Sequence, residues 1–222
     1  MINKNDLIEK AKMLDTTAIS DTRKGTTRVL DPAIVCRSAN AKMFGFAHTV
    51  KTENDILAVF AALSHLDQDD VLVVDGGSLA IAYGGELFAR DISAHGAAGI
   101  IVDGGYRDIG YISNMDFPVY SRFAVPNAGP HEAAGQEQVE IKCGGINIKP
   151  GDFIIGDENG VIVLDPEEAD SILDDAIKVK DKEAKIIEGF AAGKRLADMT
   201  NVDDYQIAVK NGDNKAEFVW KV

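Results

Sequence analysis

VLVVDGGSLAIAYGGELFARDISAHGAAGIIVDGGYRD, residues 71–108, decides the fold. VLVVD (71–75) is a continuous apolar run of strand length, ended by Gly76 and Gly77. A half-exposed strand would alternate, so this one reads as buried on both faces. GELFARDISAHG (85–96) follows as a helix, with Leu87, Ile92 and Ala94 turned inward. GIIVDGG (99–105) is a second buried strand with the same ending. YRDIGYI begins another short helix, and FPVYSRF (117–123) is a third strand. This β-α-β-α-β alternation with short connections is the signature of an α/β fold.

Upstream, Leu7, Ile8, Ala11 and Leu14 recur at helical spacing within residues 2–14. Thr16 or Thr17 caps a second short helix that Gly25 stops, and Pro32 breaks the segment after it. Residues 45–52 read as a strand, and Asn54 or Asp55 then caps a helix with Ile56, Val59, Phe60 and Leu63 on one face. Downstream, residues 138–164 read as several short strands, with Asn159-Gly160 as a hairpin turn. Pro166 opens a long amphipathic helix that Gly193 closes. In the tail, alternation in YQIAV and EFVWKV predicts a hairpin around Asn211-Gly212. There is no internal repeat or linker. The expected organisation is one domain over 1–198, with 199–222 as a C-terminal extension forming a β-hairpin or an oligomer contact.

The chain has 222 residues, 45% of them apolar and 27% charged, with a formal net charge of −13. That composition belongs to a folded protein with a core of its own. A balance this acidic argues against a nucleic-acid partner, which needs clustered Lys and Arg. Cys36 and Cys143 form no CxxC pattern, which excludes a disulfide scaffold and suits a reducing compartment. No apolar signal segment and no stretch of membrane-spanning length is present, so the expectation is a cytoplasmic protein without a membrane partner.

Ligands of α/β folds bind where strands end and helix N-termini converge. Two such places stand out: Asp75-Gly76-Gly77 with Gly84-Gly85-Glu86, and Asp103-Gly104-Gly105-Tyr106-Arg107-Asp108. Glycines let backbone approach a ligand, carboxylates supply hard oxygen donors for Mg²⁺ or Mn²⁺, and an arginine beside them meets an anionic substrate. The bland alternative is turn chemistry, since Asp caps turns and Gly-Gly makes them. Gly76-Gly77-Ser78-Leu79-Ala80 resembles a nucleophile elbow, with His95 and His131 as possible triad partners, but the same residues also make a plain turn. Neither dinucleotide-binding nor P-loop glycine patterns occur. The four histidines lack the spacing of a helical zinc site. Lys142 and Lys149 alternate with polar neighbours rather than lying in the apolar surroundings a Schiff-base lysine needs.

At GGELFARDISAHGAAGIIVDGGYRD the sequence resembles the RraA-like family. That family includes class II pyruvate aldolases acting on 4-hydroxy-4-methyl-2-oxoglutarate and 4-carboxy-4-hydroxy-2-oxoadipate. The likeness runs from about Thr17 to Arg195. The family's catalytic members carry an acidic residue, twenty intervening residues and then Arg-Asp, and here Glu86, residues 87–106 and Arg107-Asp108 match that pattern in full. The resemblance implies that Asp108 ligates Mg²⁺ or Mn²⁺ directly and that Glu86 holds metal-bound water and relays a proton. It implies that Arg107 contacts the keto oxygen, and that Gly85 and the backbone N–H groups of Leu87 and Phe88 receive the substrate carboxylate. A glutamate from a neighbouring subunit is also implied, for which Glu183 is the candidate. The implied fold is a single-domain α-β-β-α sandwich, similar to swivelling phosphohistidine domains, with N-terminal helices and a long C-terminal helix, in homotrimers or homohexamers. The implied activity is metal-dependent cleavage of 4-hydroxy-2-keto acids to pyruvate, with oxaloacetate decarboxylation through the same enolate. Two alternatives belong to the same likeness: a non-catalytic regulator of a ribonuclease, from a branch lacking the acid and Arg-Asp set, and an enzyme acting on another keto or sugar acid. The polar SDTRKG segment (20–25) and the tail after Met199 depart from the family pattern.

Overall fold

Uninterrupted aliphatic and β-branched runs form the centre of one large sheet, because only a strand covered on both faces tolerates them. The structure is a computed structural model that describes residues 3–221. Its helices are α1 (Lys4–Ala11), α2 (Thr16–Thr22), α3 (Leu57–Ala62), α4 (Glu86–Ala94), α5 (Ile109–Ile112), α6 (Pro166–Ala191) and α7 (Val202–Lys210). Its strands are β1 (Arg28–Val29), β2 (Val35–Cys36), β3 (Met43–Lys51), β4 (Asp70–Ala82), β5 (Gly99–Tyr106), β6 (Val119–Ala124), β7 (Gln136–Glu137), β8 (Ile141–Cys143), β9 (Ile146–Ile148), β10 (Phe153–Asp157) and β11 (Gly160–Leu164). Ile2, where the first helix was expected to begin, lies outside the described residues.

The large sheet runs β1-β11-β10-β3-β4-β5-β6-β2, with β7 added against β3 and β8-β9 forming a separate hairpin. Strands β3 to β6 are parallel to one another, and the strands flanking them pair antiparallel. One face of the sheet gathers Ala47, Val71, Val73, Ile101, Tyr120, Ile154, Val161 and Val163 into a single cluster. Those residues span β11 to β6, so the sheet curls around them, and Ile141, Cys143 and Ile148 of the small hairpin pack into the same cluster. The opposite face points outward and is covered twice. Helices α3, α4 and α5 pack over Val50, Leu72, Val74, Ile100 and Val102. Helices α1, α2 and α6 pack over Phe46, Phe153, Ile155, Ile162 and Leu164. The result is helix, sheet, sheet, helix in cross-section, the arrangement that the family resemblance implies.

Several expectations are corrected, among them the inward placing of Leu87 and Ala94, both of which are exposed on α4, and of Phe60, which is exposed on α3. Strand β4 does not end at Gly76-Gly77 but continues to Ala82 through register shifts. The tail is not a β-hairpin: residues 202–210 form α7, and Gly212, at φ 75°, follows it as a helix stop. The five-residue alternation in YQIAV is too short to separate strand from helix, and Asp203 and Asp204 in the first turn favour the helix. The chain then returns beside α7, with Lys221 N–H donating to the Met199 carbonyl at 2.8 Å and Tyr205, Phe218 and Trp220 stacking edge to face. Asp15 caps α2, one residue before the expected threonine, by accepting from Ala18 N–H. Among the described residues, no helix is long and apolar enough to cross a membrane.

Candidate functional site

The site exists because β4 carries surplus residues. Between Asp75, opposite Asp103, and Ala82, opposite Gly105, β4 takes seven steps while β5 takes two. Gly77 at φ 65° and Ser78 at φ 57° turn the extra length aside. Tyr83 N–H then donates to the Gly105 carbonyl at 3.0 Å, and Arg107 N–H to the Gly84 carbonyl at 3.1 Å. The start of α4 is thereby brought level with the end of β5. The buried Tyr106 hydroxyl donates to the Gly85 carbonyl at 3.0 Å and pins the join from below. Burial pushes the Tyr106 hydroxyl pKa well above its ordinary value, so that hydroxyl remains a donor.

Asp108 stands at the N-cap of α5 in the left-handed conformation, φ 60° and ψ 32°, which Asp tolerates better than most residues. Its carboxylate does not cap its own helix. Instead Oδ2 accepts the Glu86 N–H of α4 at 3.0 Å, with Arg107 Nε 3.7 Å away. Oδ1 has no hydrogen-bond partner among the described residues, and the side chain is 39% exposed. Gly85 is required by proximity: an added Cβ would overlap Asp108 Oδ2 and lie 2.9 Å from Arg107 Cγ. Glu86 Oε1 accepts from Arg90 Nε at 2.8 Å, one helical turn on.

Gly85, Glu86, Leu87, Phe88, Arg107 and Asp108 thus line one cleft of about 150 Å³, closed by Ile56, Ala82, Gly84 and Ala128. The first-turn N–H groups of Leu87 and Phe88 have no acceptor within their own helix and sit at the positive end of its dipole, a setting for a carboxylate. Among the described residues, no three His, Cys, Asp or Glu side chains are arranged to cage a metal. What the cleft does offer is carboxylate oxygen, with Asp108 Oδ1 unpartnered among the described residues and Glu86 beside it, a donor set of the kind hard divalent ions take.

Not every flagged residue belongs to the cleft. Asp103 is buried and accepts from Ser78 Oγ at 2.9 Å, Arg122 Nε at 2.7 Å and Gly144 N–H at 2.7 Å. Asp75 accepts from the N–H groups of Gly77 and Lys142. These two strand-end carboxylates hold loops. Ser78 makes no hydrogen bond to a histidine, so the nucleophile-elbow reading has no support. Glu183 lies on α6, ion-paired with Lys180 at 3.2 Å and outside the cleft of its own chain. Sequence reasoning missed Ile56, Ala82 and Ala128, which have no chemical signature. Asp55, expected as a helix cap, accepts Leu57 N–H on Oδ1 at 2.7 Å, and in addition its Oδ2 accepts from Glu132 N–H at 2.7 Å and Ala133 N–H at 3.0 Å. That contact, with Ile56 N–H on the Pro130 carbonyl at 3.0 Å, fastens the segment carrying Ala128.

Comparison with known proteins identifies a family and a fold. The RraA-like family model, described as Aldolase/RraA, matches residues 16–163. A protein of Halalkalibacterium halodurans named "Putative 4-hydroxy-4-methyl-2-oxoglutarate aldolase" is 34% identical over 183 residues, 81% of this chain and 87% of that protein. Among solved structures, a protein from Pseudomonas syringae pv. tomato shares the fold with a TM-score of 0.77 at 24% identity, over 86% of this chain and 91% of that one. The RNA-processing inhibitor RraA from Thermus thermophilis matches with a TM-score of 0.63 at 28% identity, over 68% of this chain and 92% of that one.

Proposed function

Because this chain belongs to the RraA-like family, we propose that it is a divalent-metal-dependent lyase that cleaves 4-hydroxy-2-keto acids to pyruvate, with oxaloacetate decarboxylation as a second reaction of the same site. One observation carries the reading: the Asp108 carboxylate turns away from its own helix toward α4, beside Arg107 and the α4 first turn. Asp108 would hold Mg²⁺ or Mn²⁺ directly, and Glu86 would hold its water. The ion supplies a Lewis acid for the substrate's keto oxygen.

The chain's own groups supply the rest. The first turn of α4 binds the substrate carboxylate. When the bond between C3 and C4 breaks, its electron pair moves toward C2 and negative charge grows on the keto oxygen. Arg107 meets that charge, an interaction stronger in the transition state than in the ground state. Glu86 would take the C4 hydroxyl proton, and a proton returns to C3. Loss of carbon dioxide from oxaloacetate develops the same charge, which is why one site serves both. Glu183 is proposed to reach the cleft of a neighbouring copy in a homotrimer or homohexamer. The two free cysteines accord with a cytoplasmic setting.

The test is pyruvate release from oxaloacetate and from 4-hydroxy-4-methyl-2-oxoglutarate after EDTA treatment and return of Mg²⁺ or Mn²⁺. Turnover is expected only with metal, to vanish in Asp108→Ala, and to fall by about 10²–10³ in kcat for Arg107→Ala. A folded, metal-loaded protein that releases no pyruvate from either compound would overturn the reading. Stable capture of an RNA-degrading enzyme in its place would favour the inhibitor role named for the Thermus structure.

A further inference from the structure

Residues 125–135 join β6 to β7 as a strap that touches the cleft near one end and a cluster of titratable groups at the other. Near β6, Val125 N–H donates to the Tyr106 carbonyl at 3.1 Å and Ala82 N–H to the Asn127 carbonyl at 2.8 Å, which sets Ala128 in the cleft wall. In the middle, Ile56, also of that wall, donates its N–H to the Pro130 carbonyl, and Asp55 accepts from Glu132 and Ala133 N–H. Gly135, at φ 60°, lies where an added Cβ would overlap Ala58 and the Lys51 carbonyl. Beyond it β7 pairs with Val50 and Lys51 of β3. From residue 126 to 136 only Gly129 is buried, so hydrogen bonds and not apolar side chains hold the strap. A segment held in this way opens at low cost.

The far fastening is the Glu137 carboxylate of β7. Its Oε1 lies 2.6 Å from His48 Nε2 of β3, and its Oε2 lies 3.0 Å from Nδ1 of His65, which follows α3. Asp70 of β4 and Gln138 face His48 on its Nδ1 side, at 3.4 Å and 3.2 Å. We infer that residues 125–138 form a movable wall of the cleft, latched to β3 by Glu137 on His48 and His65, and that protonation of this latch tightens substrate binding at the other end of the strap. This rests on the lyase reading for its substrate and adds regulation of the same site by pH. Protonated rings give Glu137 charge-assisted bonds, roughly twice as strong as neutral ones. Burial opposes a charge on His48, but its bonds to Asp70 and Glu137 outweigh burial and raise its pKa. The latch is therefore complete below the ordinary histidine value of about 6.5 and loosens as pH rises through the higher folded value. Asp55, the strap's middle anchor, stays ionised over that range: burial pushes its pKa up, but the amides it accepts outweigh burial and hold it below the usual carboxylate value. His131, on the strap itself, is near enough to Asp55 to add to that effect. A keto acid binds in proportion to the fraction of molecules in which the wall is seated.

Two readouts test this with Mg²⁺ present, each at pH about 6 and about 8.5. The first is hydrogen exchange at the Glu132 and Ala133 amides, expressed as protection relative to β5. The second is KM for oxaloacetate and for 4-hydroxy-4-methyl-2-oxoglutarate, taken as the ratio of variant to wild type so that the cleft's own pH dependence cancels. His65→Gln changes a largely exposed ring and leaves the fold intact, Glu137→Gln removes the charge both histidines share, and His131→Gln is the control. At the lower pH, KM in His65→Gln and Glu137→Gln is expected to be about twofold to fivefold above wild type with kcat unchanged, and strap protection to fall with it. At the higher pH the variants and wild type should converge, and His131→Gln should follow wild type throughout. Pyruvate release with a KM ratio of one at both pH values, or strap protection indifferent to the latch variants, overturns the inference and keeps the lyase. So does a pH dependence lost in His131→Gln instead, or a kcat that falls while KM holds. No pyruvate from either compound, while strap protection still follows the latch, overturns the lyase and keeps the strap.

Discussion

Gly85 shows how closely the site is drawn at the scale of single residues. Its backbone is extended, φ −166°, a conformation any residue adopts, so what forbids a side chain there is the position of Asp108 and Arg107. Gly85→Ala is therefore expected to leave the melting temperature nearly unchanged while lowering kcat/KM by about 10², the scale of a 1 Å misplacement of reacting groups. Unfolding curves and pyruvate release measured on the same preparation check both halves. Glu86, Arg107 and Asp108 stand out in the sequence through the spacing shared with the resembling family, and the structure brings the three to one cleft. Asp75 and Asp103 carried an equally suggestive signal but bind loop amides and Arg122. The difference is direction: a sequence gives the residue at the end of a strand, and the register shifts of β4 decide which carboxylate reaches a cleft.

Among the elements, β7 is held by a cluster legible in neither spacing nor composition. His48 of β3 is 3% exposed, with Nε2 2.6 Å from Glu137 Oε1 and Nδ1 3.4 Å from Asp70 Oδ2, while His65 Nδ1 lies 3.0 Å from Glu137 Oε2. Gln138 Nε2 lies 3.2 Å from the same His48 Nδ1, so the neutral ring can accept from Gln138 and the protonated ring donates to Asp70. Burial works to lower the His48 pKa, but its bonds to Asp70 and Glu137 outweigh it and the net shift is upward. For Glu137, burial pushes upward and the two histidines, outweighing it, pull the net value down. The histidine's contribution to stability is then full below its unfolded pKa of about 6.5 and fades as pH rises through the higher folded value. The glutamate's contribution is present above its unfolded pKa and fades as pH falls through the lower folded one. Hydrogen exchange at the β7 amides should accordingly show less protection relative to core strands at pH about 8.5 than at about 6. In His48→Gln that difference should disappear, and an unchanged difference would show that another group holds the strand.

For the whole molecule, the α/β class and the long C-terminal helix follow from runs and periods within single segments. The curl of the sheet does not, because it depends on residues as far apart as Val71, Tyr120 and Val163 sharing one cluster. The tail was misread for the same reason, since its short pattern is settled by contact with Met199 and Thr200. No residue of α7 is buried, so a chain ending at Thr200 is expected to melt within a few degrees of the full chain and to keep its near-ultraviolet signature apart from that of Trp220. A large loss of stability would show the tail to be part of the core. The bulged stretch of β4 has a consequence of a different kind. The buried layer of that strand reaches Val74 before the bulge and resumes at Ala82 and Tyr83 after it, and Gly77 N–H on Asp75, Ser78 Oγ on Asp103 and the Tyr83 hydroxyl on the Gly76 carbonyl fix the length between them. Deleting or inserting one residue between Gly76 and Ile81 would slide α4 along β5 and reset the distance between Glu86 and Asp108 while both side chains remain. The spacing of Glu86 and Asp108 is thus set by the length of the bulge, and in the proposed lyase a change of that length would alter the cleft in a way that substitution of either residue does not.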